Sequence, residues 1–173
     1  MKAAYLLAGC LCFSALLAGQ NHNSPGYQRL VKEVRHELVM LPYLGVFDNL
    51  EFRVDGDTVT LMGAVTRPTL KSDAENVVKK IEGVRKVVNQ IEVLPLSPND
   101  DRIRREVYFA LARQAQLSRY FMQAVSPIRI IVKNGNVDLQ GVVGNKTDAD
   151  LAKITTGGVP GVFGVSNSLR VEK

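Results

Sequence analysis

An internal duplication constrains the fold of this chain more than any other feature. A shift of 78 residues aligns the segment from Val59 to Val93 with the segment from Val137 to Val171 without a gap. Identical residues then coincide at strand, turn and helix-end positions, including Val59 with Val137, Gly63 with Gly141, Gly83 with Gly161, and Asn89 with Asn167. So many coincidences at one offset indicate two copies of one supersecondary unit.

The first copy predicts the order helix, strand, strand, helix, strand. Apolar residues recur at helical spacing from Leu30 to Leu41, and residues 50–54 alternate between apolar and polar side chains. An Asp-Gly turn then leads into a second alternating strand. A second helix, capped by Thr66, precedes a last strand from about residue 85 to 93. Because a helix connects the second and third strands, we predict an α+β unit with a three-stranded mixed sheet and both helices on one face.

The second copy predicts the same unit with two differences. Five extra residues separate its first helix from its first strand, and Phe121 and Val125 continue the apolar stripe of that helix, so we expect the helix to be about one turn longer. The segment 155–158 contains two threonines and two glycines where the first copy has two valines and two lysines. We therefore expect the last helix of the second copy to be shorter and more mobile.

The amino terminus resembles a secretory signal peptide. Lys2 precedes an apolar run that ends in small residues at Ala18 and Gly19. Cleavage there removes both cysteines, so no thiol or disulfide remains in an exported, periplasmic protein. An alternative stays open, because the residues ending at Cys10 resemble a lipobox and would give an outer-membrane lipoprotein. The chain thus divides into a signal peptide (1–19), a linker (20–26), a first repeat (27–95), a Pro-containing linker (96–100) and a second repeat (101–173).

The net positive charge of the two repeats lies in the second repeat. Residues 25–95 contain ten basic and ten acidic residues, whereas residues 96–173 contain eleven basic and seven acidic residues, a net charge of +4. Five arginines lie between positions 102 and 119, with Glu106 as the one acidic residue among them. On a helical wheel Arg105 and Phe109 lie opposite the core stripe. The flanking positions are Arg102, Tyr108 and Arg113.

This composition permits two interpretations. An exposed aromatic ring among arginines is typical of a surface that contacts anionic headgroups and buries a ring below them. Alternatively, the helix is simply solvated and Phe109 packs on the first repeat. Nucleic acid is a poor partner for an exported protein, and the residues indicate no enzyme. With two histidines in the chain and no cysteine after cleavage, we expect no metal, no cofactor and no small-molecule substrate.

Two pairs of equivalent residues and two outward apolar residues suggest structural roles. Asn89 and Asn167 fall in the inward register of the last strand, where we expect side-chain hydrogen bonds to a neighbouring loop. Gly63 and Gly141 fall at strand ends, where we expect a requirement of the backbone. Outward apolar residues such as Val88 on the first sheet and Ile131 on the second would favour a protein-interaction adaptor if they formed one exposed surface.

The repeated pattern resembles the BON domain of bacterial envelope proteins. Val-x-Leu-x-Gly follows an Asp-Gly or Asn-Gly turn, and Gly-Val-x-x-Val-x-Asn-x-Ile/Leu-x-Val follows the helix, at Val59–Val93 and at Val137–Val171. This family includes an osmotically induced periplasmic protein and an outer-membrane lipoprotein that recognises anionic phospholipid. The resemblance implies an envelope-maintenance role, under stress, without catalysis. It also implies membrane contact through the first helix of the second repeat, with the candidate residues Arg102, Arg105, Tyr108, Phe109, Arg113 and Arg119.

Overall fold

The computed structural model describes residues 24–172, so the signal peptide lies outside the described residues. The first repeat contains α1 (Pro25–Val39), β1 (Asn49–Asp55), β2 (Thr58–Val65), α2 (Pro68–Val78), β3 (Lys86–Asn89) and β4 (Glu92–Val93). The second repeat contains α3 (Pro98–Ala112), α4 (Ser118–Phe121), β5 (Ile128–Lys133), β6 (Asn136–Val143), α5 (Lys146–Gly157) and β7 (Gly164–Val171).

Both sheets have the predicted mixed topology. In the first repeat β2 pairs antiparallel with β1 and parallel with β3 and β4. In the second repeat β6 pairs antiparallel with β5 and parallel with β7. Helices α1 and α2 contact each other in one repeat, and α3 and α5 contact each other in the other. The predicted α+β fold of two repeated units is therefore confirmed.

Each repeat has its own hydrophobic core. Val34, Leu61 and Leu70 are fully buried in the first repeat, and Ile103 and Leu139 are fully buried in the second. Burial of each such side chain contributes about 1.5–3 kcal/mol. The helices therefore hold their apolar stripes against the sheet and turn the opposite side toward solvent.

The repeated asparagines connect the last strand to the preceding helix. The Asn89 side-chain amide donates to the Lys71 carbonyl oxygen at 2.9 Å, and that of Asn167 donates to the Ala149 carbonyl oxygen at 3.0 Å. Both acceptors lie in a helix, so the predicted loop partner was wrong. Asn89 Oδ1 also accepts from the backbone N–H of Ile91, which lies between β3 and β4. Asn167 Oδ1 accepts from the Leu169 N–H in the same way, at 3.3 Å, although β7 is continuous, so this bond alone does not account for the break between β3 and β4.

The repeated glycines serve the backbone, as predicted. Gly63 has φ 106° and Gly141 has φ 118°. A Cβ atom on Gly63 would overlap the carbonyl oxygen of Asn49 in the adjacent strand, and one on Gly141 would overlap that of Pro127. A larger residue at either position would therefore strain the strand pairing.

Three local predictions were wrong. The first helix of the second repeat is not longer, because it ends at Ala112 and the chain turns so that Leu117 and Tyr120 enter the core. The last helix is not shorter, since α5 has 12 residues and α2 has 11. Thr66 does not cap α2, because its hydroxyl donates to the buried carboxylate of Asp48 at 2.8 Å.

The repeats contact each other, as expected for such small units. The Ile130 N–H donates to the Val46 carbonyl oxygen at 2.9 Å, and Arg129 donates to the Gly45 carbonyl oxygen at 2.9 Å. The segment 44–47 of the first repeat thus covers the free edge of β5 and packs on the second core. Ile131 is buried, so it does not form the exposed apolar surface that would favour an adaptor.

Candidate functional site

Three side chains form an exposed row along α3. Because Ile103, Val107 and Leu111 point into the core, the residues on the opposite side face solvent. These are Arg105, Phe109 and Arg113, which we call the basic-aromatic row. The Phe109 side chain is 52% exposed. The Arg113 guanidinium lies 5.8 Å from the centre of the Phe109 ring, within cation–π distance.

Tyr108 connects this row to the first repeat. Its ring lies edge-on to three other rings, with centroid distances of 5.5 Å to Phe109, 5.4 Å to Phe121 and 6.3 Å to Phe47. Phe47 belongs to the loop between α1 and β1. The aromatic contact with the first repeat is therefore made by Tyr108, whereas Phe109 stays half-exposed.

A cavity of about 370 Å³ opens beside the row, between the two repeats. The segment 44–47 forms one wall, α3 forms another, and residues 123–126 form the rim after α4. Arg129 on β5 completes the lining, which we call the inter-repeat cavity. Sequence reasoning missed Phe47, Arg129 and the cavity itself. No signal at these positions could have found them, because the walls come from segments about 80 residues apart.

The site is electrostatically positive. Neither Arg105 nor Arg113 has an ion pair within residues 24–172. Burial lowers the pKa of Arg129, and the nearby charge of Asp48 opposes that shift. Because the ordinary pKa of a guanidinium is so high, Arg129 stays protonated at neutral pH. The row and the cavity therefore present three positive charges beside apolar surface.

Arg102 lies apart from the row. Its guanidinium donates to both carboxylate oxygens of Glu106 at 2.9 Å and to the carbonyl oxygen of Pro160 at 3.3 Å. Arg104 points inward, where it is buried and donates to the Val132 carbonyl oxygen at 2.7 Å. The charge of Arg102 is therefore largely compensated, and that of Arg104 is not available to a surface ligand.

Arg119 also lies apart. It contacts the buried Asp148 carboxylate at 2.5 Å and the Tyr120 hydroxyl at 3.0 Å. These hydrogen bonds, that of Tyr120 first and that of Asp148 next, raise the pKa of Arg119. The structure thus brings together Arg105, Tyr108, Phe109 and Arg113 of the six predicted residues, and it places Arg102 and Arg119 in separate ion pairs.

Within residues 24–172, no three acidic or histidine side chains come together as a metal site. No helix in that part of the chain has the length and apolar character required to cross a bilayer.

Comparison with known families identifies the class of protein. The BON domain model matches residues 28–95 and again residues 99–173. The chain therefore belongs to the BON domain family, with two copies of the domain. This assignment indicates an envelope-associated protein, and proteins of this family are generally non-catalytic.

Other comparisons are less informative. No curated protein matches the sequence significantly. Among solved structures, the C-terminal domain of CdsD, a structural protein of the type III secretion system of Chlamydia trachomatis, is similar at 14% identity and a TM-score of 0.30. That similarity covers 83% of this chain and 98% of the other. A second CdsD structure is similar at 13% identity and a TM-score of 0.30, covering 84% and 94%. Similarity at this level carries no argument about function.

Proposed function

We propose that this protein is a non-catalytic, periplasmic envelope protein that supports envelope integrity by binding anionic phospholipid membranes through α3. The observation that carries the proposal is the basic-aromatic row, in which two arginines that form no ion pair within residues 24–172 flank a half-exposed Phe109. Arginines attract an anionic surface, and an aromatic ring gains free energy when it leaves water for the headgroup region. Replacement of these two arginines by acidic residues should therefore lower the affinity for anionic membranes.

The expected loss of membrane affinity follows from the number of arginines in the row. Each basic residue near an anionic surface contributes about 1 kcal/mol, so reversal of Arg105 and Arg113 should cost about 2–4 kcal/mol, roughly 30-fold to 1000-fold in affinity. Because this attraction is screened, binding should also weaken as salt is raised. The Phe109 contribution comes from apolar burial and should persist at high salt.

The test is co-sedimentation of residues 20–173 with phosphatidylglycerol-containing vesicles and with neutral phosphatidylcholine vesicles. R105E/R113E should lose binding to the anionic vesicles. K80E/K86E is the matched control, because it changes two exposed lysines of the first repeat and gives the same net charge. Circular dichroism should show that both variants are folded. The proposal is wrong if the unmodified protein stays in the supernatant with anionic vesicles at low salt.

Single substitutions of Arg105 and Arg102 provide a sharper comparison. Arg105→Gln should weaken vesicle binding more than Arg102→Gln, because the Glu106 carboxylate already neutralises Arg102. Equal effects of the two substitutions would mean that overall charge, and not the row, attracts the membrane.

Localisation has its own test. Mass spectrometry of the protein from a bacterial host should find a mature chain that starts near Gln20 without acyl groups. A lipid-modified terminus at Cys10 would instead make the protein a tethered outer-membrane lipoprotein.

A further inference from the structure

Exposed apolar side chains take part in the lining of the inter-repeat cavity. Val39, Phe109 and Val125 are exposed, and all three line the cavity. Val39 comes from the end of α1, so both repeats contribute exposed apolar groups. The half-buried rings of Tyr108 and Phe121 also line it. Exposed apolar groups around an apolar cavity indicate a place where hydrocarbon replaces water.

The charges around the cavity indicate the chemistry of its occupant. Among residues 24–172 the lining contains two basic side chains, Arg105 and Arg129, and no acidic one, although the charge of the neighbouring Asp48 acts on Arg129. Arg129 donates one N–H to the Gly45 carbonyl oxygen, and a guanidinium has five donors, so others are left for a ligand. Arg105 is exposed and has no ion pair within residues 24–172. A cavity lined by apolar groups and two arginines, with the Asp48 carboxylate near one of them, complements an amphiphile whose head is a phosphate.

We propose that the inter-repeat cavity takes up one acyl chain of an anionic phospholipid, with the phosphate of its headgroup held by Arg105 and Arg129. This inference rests on the proposed membrane function and adds a defined site for a single lipid. The cavity volume of about 370 Å³ lies at the lower end of the roughly 300–1,000 Å³ range of ligand pockets, so it suits one short acyl chain better than a whole lipid.

The test uses a monomeric lipid, so that no bilayer surface is present. The probe is lauroyl-lysophosphatidylglycerol below its critical micelle concentration, with binding to residues 20–173 measured by calorimetry. Ala124→Trp places a large side chain at the cavity rim and should weaken binding at least tenfold. Ala115→Trp is the matched control, because Ala115 is exposed and does not line the cavity, and it should bind as the unmodified protein does. Lauroyl-lysophosphatidylcholine, whose head has no net charge, should bind more weakly to the unmodified protein.

A measurement without substitution keeps the test independent of folding. Titration of the probe into the unmodified protein should shift the methyl resonances of Val39 and Val125 and leave those of the exposed Ile154, outside the cavity, unchanged. Equal affinity of the Ala124→Trp variant, or unchanged Val39 and Val125 resonances, overturns the inference.

The results distinguish failure of the membrane function from failure of the acyl-chain site. If the protein binds anionic vesicles but not the monomeric probe, the surface function stands and the acyl-chain site is wrong. If it binds the probe through the cavity but does not bind vesicles, the site stands as one for a free anionic amphiphile, and the membrane function and the phospholipid source are wrong.

Discussion

Removal of one buried hydroxyl should destabilise the second repeat strongly. Tyr120 is 6% exposed, and its hydroxyl donates to Asp148 Oδ2 at 2.6 Å and accepts from the Gly144 N–H at 2.8 Å. Asp148 is itself buried and also contacts Arg119. Tyr120→Phe leaves the ring in place. It removes one donor from a buried carboxylate and the acceptor of two N–H groups, one on the Gly144 backbone and one on Arg119.

The expected magnitude follows mainly from the hydrogen bond lost at Asp148. A hydrogen bond to a charged group contributes about 1.5–3 kcal/mol. Gly144 and Arg119 are exposed, so water can replace the acceptor that their N–H groups lose. Since Arg119 and Asn145 still donate to the Asp148 side chain, we expect a loss of about 2 kcal/mol. That loss is a large share of the roughly 5–15 kcal/mol by which a domain is stable.

Urea denaturation followed by circular dichroism measures this loss. With a slope of about 2 kcal/mol per molar urea, the midpoint of the second repeat should fall by roughly 1 M. Tyr108→Phe is the matched control, because the Tyr108 hydroxyl makes no hydrogen bond within the described residues. A midpoint shift for Tyr120→Phe no larger than that for Tyr108→Phe would refute this account of the network.

Three other predictions concern backbone conformation and pH. Gly141→Ala should lower the free energy of unfolding by more than about 2 kcal/mol in chemical denaturation, because its Cβ would overlap the Pro127 carbonyl oxygen at φ 118°. Gly26→Ala, at an open position in α1, should instead raise it by about 0.5 kcal/mol in the same assay. Hydrogen bonding from Lys79 lowers the pKa of Glu75 from its ordinary value of 4.5, so Glu75 stabilises the fold above that pH and the contribution is lost as pH falls below it. Acid titration of Glu75→Gln should therefore show a smaller loss of stability below pH 4.5.

The sequence predicts the fold well because the signals of the fold are local and repeated. Alternation in the strands, helical spacing and positive-φ glycines each depend on neighbouring residues, and two copies show the same pattern twice. The break after Ala112 was not predictable in this way. No proline or glycine marks it, and it arises because Leu117 and Tyr120 have space in a core assembled from distant strands.

The candidate site was predictable only where it depends on one helix. Helical spacing alone placed Arg105 and Phe109 on the exposed side of α3. It also placed Arg102 beside them, because the wheel contains no information about Pro160, whose carbonyl oxygen receives an Arg102 hydrogen bond across 58 residues. The Asp148 partner of Arg119 is likewise 29 residues away. Partners that are distant in the sequence decide which arginines remain free to contact a ligand, and helical spacing does not reveal those partners.

The duplication does not produce two equivalent sites. The offset of 73 residues that aligns the first helices places Lys32, His36 and Met40 of α1 where α3 has the basic-aromatic row. These three positions are exposed in the same way, yet they carry one fixed charge and no phenyl ring. The segment 44–47 follows α1 and forms a wall of the inter-repeat cavity. The first repeat therefore contributes apolar and backbone groups to the cavity, whereas the second contributes aromatic rings and the two arginines, so the amphiphile that we propose would contact both repeats.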